Sequence, residues 1–339
     1  MRQGHHSGPR SVGWRFALLI LALGALAAAL LIGSRWLDAR LRHPEATGDY
    51  RQRLSYESVI EVDGVTYRPR KRVTTILLMG IDRDAEPTGR VSYRQGGQAD
   101  FLRLLVIDAE RKQFLQIQID RDTITPITVL GVLGDRSGVR PAQIALSHAF
   151  GDGQEQSCEL TVEAVSNLLL GIDIDFYVAM NLDGIGVLND AVGGVTVTVT
   201  DDFSAVDDAM VPGATMTLTG EQAVRFVRSR RSIAEGTNEN RMARQQVFMA
   251  SLTGVIERRQ AEDSGFVEAL YDTLSPHIVT NLSKGRMINE GWLAAEYEHL
   301  PLYTLEGVRC LDSNGYMQFV VDDAALQALV LALFYEEVQ

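Results

Sequence analysis

The chain has 339 residues, 46% of them hydrophobic and 22% charged, with a formal net charge of −12. That length and apolar fraction supply one large domain, or two modest ones, with a full-sized core. The acidic balance argues against a broad basic face and so against a nucleic-acid partner, because phosphate backbones reward positive charge.

The first fifteen residues, "MRQGHHSGPRSVGWR", are polar and basic, with Arg2, Arg10 and Arg15 and no acid. Residues 16–33, "FALLILALGALAAALLIG", then carry no charge. At about 1.5 Å per residue that stretch just crosses a bilayer core. A secretory signal peptide is the alternative, but its apolar region usually runs about 7–15 residues. Arg35, Trp36 and Leu37 follow almost directly. They fit an interfacial anchor better than a cleavage site. The expectation is a single-pass helix in the cell membrane, with a cytoplasmic N-terminus and the rest of the chain outside.

Residues 34–70 read as a charge-rich juxtamembrane stalk. It holds a small hairpin at "EVDGVTY", where Asp63-Gly64 supplies the turn. "VTTILLMG" (73–80) is a β-branched apolar run, as in a strand buried on both faces. "FLRLLVIDAERKQFLQIQI" (101–119) reads as two adjacent strands around the turn "DAERK". "PAQIALSHAFG" (141–151) looks helical, with Pro141 at its start and Gly151 at its end. A helix is expected at 157–171, capped by Ser157 and closed by Gly171. A strand at 172–181, a short helix at 182–194 and an alternating strand at 195–200 follow. Thr219 and Gln222 have capping-box spacing at the head of a helix over 219–230. Helices at 240–259, 264–275 and 283–297, a strand at 301–309 and a last helix from Asp323 complete the pattern. Alternating strands and helices predict an α/β layer fold with a mixed central sheet. The domain core spans 71–258, and 259–339 forms the remainder of the same domain.

Cys158 and Cys310 are far apart in sequence. A disulfide and two free thiols both stay open, since spacing does not decide pairing. No CxxC, HExxH, GxSxG or P-loop pattern occurs.

Four stretches put polar residues at strand or helix ends. "MGIDRD" (79–84) sets Asp82, Arg83 and Asp84 directly after the buried strand. Ligand crevices of open α/β sheets lie outside the carboxyl ends of strands. A solvated turn is the plainer reading of such residues. "GGQADFLR" (96–103) places Asp100 at the entry of the next strand. If the two strands are antiparallel, Asp82 and Asp100 share one sheet edge. Paired carboxylates there repel or hold a cation, and hard oxygens suit Mg²⁺, which adds substrate phosphate to one or two carboxylates. "IQIDRDTIT" (117–125) ends its strand in Asp120, Arg121 and Asp122. That cluster is either functional or an exposed salt-bridge group worth little. Finally, Arg225, Arg228, Arg230 and Arg231 crowd together, and Arg241 and Arg244 repeat the i,i+3 spacing beside Gln245. Arginine forks bind phosphate oxygens in pairs and keep their charge. The alternative is a solvated face balanced by Glu221, Glu235 and Glu239.

Taken in order, "GID", "AD" before a strand, "IDRDT", "GIDIDFYVAMNLDGIGVLNDAVGGVTVTV", "LTGEQAVRFVRSR" and "NRMARQQ" resemble the LytR-CpsA-Psr family of membrane-anchored cell-envelope proteins. The resemblance covers roughly residues 73–255. It implies an αβα sandwich and transfer of an anionic glycopolymer from undecaprenyl pyrophosphate to peptidoglycan at the membrane. It also implies a Mg²⁺ ion between Asp82 and Asp100, with Arg121 as a further catalytic residue; for the acid that deprotonates the attacking hydroxyl, Asp82 and Asp122 both stay open as catalytic candidates. Arg121, Arg228, Arg230, Arg241, Arg244 and Gln245 are implied to bind the pyrophosphate. The chain departs from the family pattern at four places. Gln98 stands where an arginine is usual, with Arg90 or Arg94 as possible substitutes. "ADF" replaces Ser-Asp-Thr, Asp120 replaces a proline, and Asn238 replaces an acid. These departures leave two other readings open: a binding-only homologue, and a pyrophosphatase that uses water as acceptor.

Overall fold

The computed structural model describes residues 59–83, 96–131, 133–229 and 237–338, all within one compact unit, Gly48–Gln339. The expected membrane span at 16–33 lies outside the described residues, as do Asp84, Arg90, Arg94, Arg230 and Arg231. Among the described residues no helix is long and apolar enough to cross a membrane.

The chain opens with β1 (Ile60–Val62), β2 (Val65–Pro69), β3 (Val73–Asp82), β4 (Gln98–Asp108), β5 (Gln113–Ile119), β6 (Ile124–Leu130) and β7 (Arg136–Gln143). Then come α1 (Leu146–Ala149), α2 (Glu155–Leu168), β8 (Phe176–Asn181), α3 (Leu182–Ala191), β9 (Thr196–Thr198) and β10 (Thr215–Thr217). Two helices flank the arginine-rich stretch, α4 (Gly220–Arg228) and α5 (Asn238–Glu262). The last part holds α6 (Phe266–Leu274), β11 (Ile278–Thr280), α7 (Lys284–Glu296), β12 (Glu298–His299) and β13 (Tyr303–Thr304). It ends with β14 (Gly307–Leu311), β15 (Met317–Val321), α8 (Asp323–Phe334) and β16 (Tyr335–Glu337).

The central sheet has the order β11-β8-β3-β4-β5-β12, with β13 also on β5. β3 runs parallel to β8 and antiparallel to β4, so the sheet is mixed. Its central strand shows why an unbroken apolar run was needed. Leu77, Met79 and Ile81 face Leu160, Ala164 and Leu168 of α2. Ile76 and Leu78 face the other way, toward Met287 and Leu293 of α7. Each such side chain contributes about 1.5–3 kcal/mol when fully buried. Leu77 is fully buried, and Leu77→Ala would cost about 2–5 kcal/mol. A second core, built on Val197, Phe203, Phe226 and Phe248, packs α3 to α6 against β9.

Asp63 and Gly64 both take positive φ, 51° and 79°, in the β1–β2 turn, as the Asp-Gly pair requires. β2 also pairs with β16, which draws the end of the expected 34–70 stalk into the folded domain.

Three expectations need correction. Ser157 does not cap α2, which starts at Glu155 after Gln154, so Ser157 lies inside the helix. Residues 141–151 are not one helix. Pro141 sits in β7 opposite Pro126 of β6, and only Leu146–Ala149 turns helical. A two-stranded ribbon has edges where a proline's missing N–H costs nothing, so strand pairing wins over helix initiation. The strand expected at 301–309 splits into β13, parallel to β5, and β14, which forms a hairpin with β15. Cys158 is buried, Cys310 is exposed, and both are free.

Candidate functional site

The site begins with an irregularity in the sheet. Gly80 pairs with Phe101 and Ile81 with Ala99, leaving Asp100 as an extra residue on β4. This is a β-bulge, a device that re-aims a side chain. It also reverses the alternation. Ala99 joins the same core as Leu102 and Leu104, an odd spacing that a regular strand forbids. A side chain on Gly80 would collide with Phe101, 2.9 Å from its Cβ position, so the close approach at the bulge needs glycine there. Asp82 lies one pair further, opposite Gln98. The antiparallel pairing thus sets Asp82 and Asp100 at one edge of the sheet.

Three arginines from three elements close on this edge. Arg121, following β5, ion-pairs with one oxygen of Asp100 and donates to Gln98 Oε1. Arg241, from the first turn of α5, donates to the other Asp100 oxygen at 2.6 Å and to Asn238 Oδ1 at 2.8 Å. Arg228, at the end of α4, stands 3.5 Å from Asp82. The Asp82 side chain is 39% exposed, against 11% for Asp100, so Asp82 is the more solvent-accessible carboxylate.

Behind the edge lies a buried polar layer. Asp120 accepts from the Asp122 backbone N–H and from Asn238 Nδ2, both at 2.8 Å. It also ion-pairs with Arg309 of β14. Asp122 accepts from Gln143 Nε2 at 3.0 Å and lies 3.4 Å from Arg121 Nε. Burial pushes the Asp122 carboxyl up from the usual range, while the Arg121 charge opposes the shift. On the short helix α1, His148 is buried and its Nδ1 lies 3.1 Å from the Gly97 carbonyl. Burial lowers its pKa to about 4, so it is neutral there and fixes the approach to β4.

Arg244 and Gln245 do not join this edge, contrary to expectation. Arg244 is 2% exposed. It donates to the Phe226 carbonyl at 2.9 Å and to the Ser229 carbonyl, ion-pairs with Asp201, and stacks on Phe203. Gln245 Nε2 reaches the Val227 carbonyl. Both side chains satisfy the open carbonyls at the end of α4, which seats that helix terminus and Arg228 with it. Arg225 also turns away, to Glu221 and Asp207.

Asp201, Arg309 and His148 escaped the sequence reading. Arg309 had a signal: Asn314-Gly315 between two apolar runs marks a hairpin, and Gly315 takes φ +81° at that turn. Asp201 and His148 had none, because their partners are distant in sequence.

Among the described residues no group of three or more His, Cys, Asp or Glu side chains could hold a metal. Asp82 and Asp100 are hard-oxygen donors on one edge, of the kind Mg²⁺ takes alongside water and phosphate, but Arg121 and Arg241 hold both Asp100 oxygens, so a cation there would have to displace those contacts.

A sequence profile described as the LytR_cpsA_psr family matches residues 40–333. The chain is similar to the polyisoprenyl-teichoic acid–peptidoglycan teichoic acid transferase TagU of Bacillus anthracis. They are 28% identical over 217 residues, covering 63% of this chain and 62% of that protein. It is similar also to the cell wall biosynthesis protein LcpA of Corynebacterium glutamicum, at 28% identity over 248 residues, covering 65% of this chain and 45% of LcpA. The chain therefore spans less than two thirds of the length of these curated relatives. Among solved structures, protein gbs0355 from Streptococcus agalactiae matches with a TM-score of 0.62 at 23% identity, covering 77% of this chain and 86% of that one. That likeness extends to the α/β fold with its mixed central sheet. With a profile match over most of its length, the chain belongs to the LytR_cpsA_psr family.

Proposed function

We propose that the protein is a membrane-anchored phosphotransferase that moves an anionic glycopolymer from an undecaprenyl-pyrophosphate carrier onto peptidoglycan. One observation carries the reading: Arg121, Arg241 and Arg228 converge on Asp82 and Asp100 at one sheet edge. Three guanidinium groups at a strand terminus suit a pyrophosphate. The name of TagU, which describes transfer of polyisoprenyl-linked teichoic acid to peptidoglycan, supports the same substrate class. An anchor at residues 16–33 would hold the site beside the bilayer that carries the lipid, raising its effective concentration.

In this mechanism the pyrophosphate displaces the carboxylates from part of their arginine contacts. An acceptor hydroxyl of peptidoglycan attacks the sugar-proximal phosphorus. A new P–O bond forms to the acceptor, the P–O bond to the bridging oxygen breaks, and the carrier leaves as polyprenyl phosphate. Arg121, Arg228 and Arg241 stabilise the charge that gathers on the leaving phosphate, as preorganised donors do. Asp82 takes the hydroxyl proton. It is the more accessible carboxylate, whereas Asp122 is buried and bonded to Gln143. Asp82 and Asp100 would hold a Mg²⁺ ion with the substrate phosphates, and that ion supplies charge neutralisation.

A binding-only role is the second reading. Both Asp100 oxygens already engage arginines, and Gln98 takes a further Arg121 donor. The test is to incubate the full chain in detergent with a polyprenyl-pyrophosphate oligosaccharide and a peptidoglycan fragment. Mg²⁺ is included or omitted, and products are followed by mass spectrometry. Phosphodiester-linked glycan on the fragment, dependent on Mg²⁺, is the expected product. Bound, uncleaved lipid would instead support the binding-only role, and sugar phosphate with polyprenyl phosphate but no linked glycan would mean hydrolysis. Asp82→Asn is expected to lower transfer by about 10²–10⁴-fold, the range for removal of a general base, while lipid binding persists.

A further inference from the structure

The hairpin β14–β15 lies nearly two hundred residues beyond the "DRD" segment in sequence, yet it docks on that segment. The Phe319 N–H donates to the Asp122 carbonyl at 2.9 Å. Gln143 Nε2 ties the Met317 carbonyl, at 2.7 Å, to Asp122 Oδ1. Arg309 projects from this hairpin, ion-pairs with Asp120, lies 2.6 Å from Glu239 Oε1 and stacks on Phe319. Asp120 is 4% exposed, whereas the Glu239 side chain is half-exposed. Water therefore screens Glu239, but Asp120 depends on its partners.

The charges around Asp120 are closely balanced. Asp100, Asp120 and Asp122 face Arg121, Arg241 and Arg309, and Glu239 stands at the rim. A buried carboxylate that loses its cation is costly and recruits another. The cations next in line are Arg121, its chain neighbour, and Arg241, whose Nη2 already donates to Asn238, the residue that donates to Asp120. Both belong to the proposed pyrophosphate site.

We propose that Arg309 is a positioning residue for that site: by neutralising Asp120 it leaves Arg121 and Arg241 on the Asp100 edge, where they meet the lipid pyrophosphate. The inference rests on the proposed function for its ligand, but its charge logic stands on the geometry alone. Asp120 and Asn238, two departures from the family pattern, act as one unit. Asn238 donates to Asp120, and Arg309 is the counter-charge of that acid.

The experiment uses the full chain in detergent, with undecaprenyl pyrophosphate as the probe and Arg309→Gln, Arg309→Lys and Arg309→Gln/Asp120→Asn as variants. Dissociation constants are measured alongside the ¹⁵Nε–¹Hε signals of Arg121 and Arg241 in the unliganded protein. Arg309→Gln is expected to weaken binding at least about tenfold, the scale of one charge-assisted hydrogen bond, and to shift both arginine signals. The double variant removes the stranded charge and is expected to restore most of the affinity and both signals. Arg309→Lys keeps the charge and is expected to lie near the wild type. Unmoved arginine signals in Arg309→Gln would overturn the proposal. A double variant as weak as the single one would overturn it too, since the hairpin would then act through packing. If the wild type binds no undecaprenyl pyrophosphate, the functional reading fails, while the arginine signals still decide the positioning role.

Discussion

Arg241 and Arg244 sit three residues apart on α5, both buried to within 3%, and they do opposite jobs. Arg241 points its charge at Asp100 on the sheet edge. Arg244 points its charge at Asp201 and at two carbonyls of the α4 terminus. Spacing on a helix says that two side chains are neighbours. Their partners say which part of the fold each charge serves, the sheet edge for Arg241 and the α4 terminus for Arg244.

The comparison is broken most severely at Arg244. Arg244→Ala strands Asp201 and leaves the carbonyls of Phe226 and Ser229 without this donor. It is expected to lower unfolding free energy by about 3–5 kcal/mol, read from denaturant titration of the full chain. Arg241→Ala is expected to cost less stability, because Asp100 retains Arg121. Its main effect falls on binding of polyprenyl pyrophosphate, weakened by about 10- to 100-fold in a lipid-binding assay. Equal stability losses in the two variants would collapse the distinction.

His148 sharpens it from the side of pH. Its folded pKa is depressed to about 4 from an ordinary 6.5, so the unfolded chain binds the proton more readily. Its contribution to stability is complete above about pH 6.5 and is lost as pH falls toward 4. Denaturant midpoints measured across that window should decline, and His148→Asn should flatten the decline. The smallest effect is expected at the exposed Arg225–Glu221 pair. Glu221→Ala should change stability by less than about 0.5 kcal/mol, which a thermal melt can check.

Much of the layered fold was legible because its signals are local. The apolar run 73–80, the "DAERK" turn and the Thr219/Gln222 capping box each specify their element within a few residues. The short turn between β4 and β5 made that hairpin legible, but the antiparallel β3–β4 pairing that brings Asp82 toward Asp100 stayed conditional until the structure supplied its register. Elements decided by a distant partner were illegible. Pro141 reads as a helix start until β6 supplies a pairing partner. Likewise, Arg244 looks like an anion ligand until Asp201 and the α4 terminus come into view. Asp120, an apparent mismatch with the family pattern, makes sense only with Arg309 and Asn238 beside it.

The bulge at Asp100 carries a further consequence, for insertions and deletions. A strand alternates with period two, so losing one residue between Gly96 and Asp100 would let the ladder pair regularly past Gly80. Ala99 would then leave the core it now shares with Leu102, and the carboxylate edge would turn with it. The site is therefore guarded by the length of this segment as well as by its chemistry.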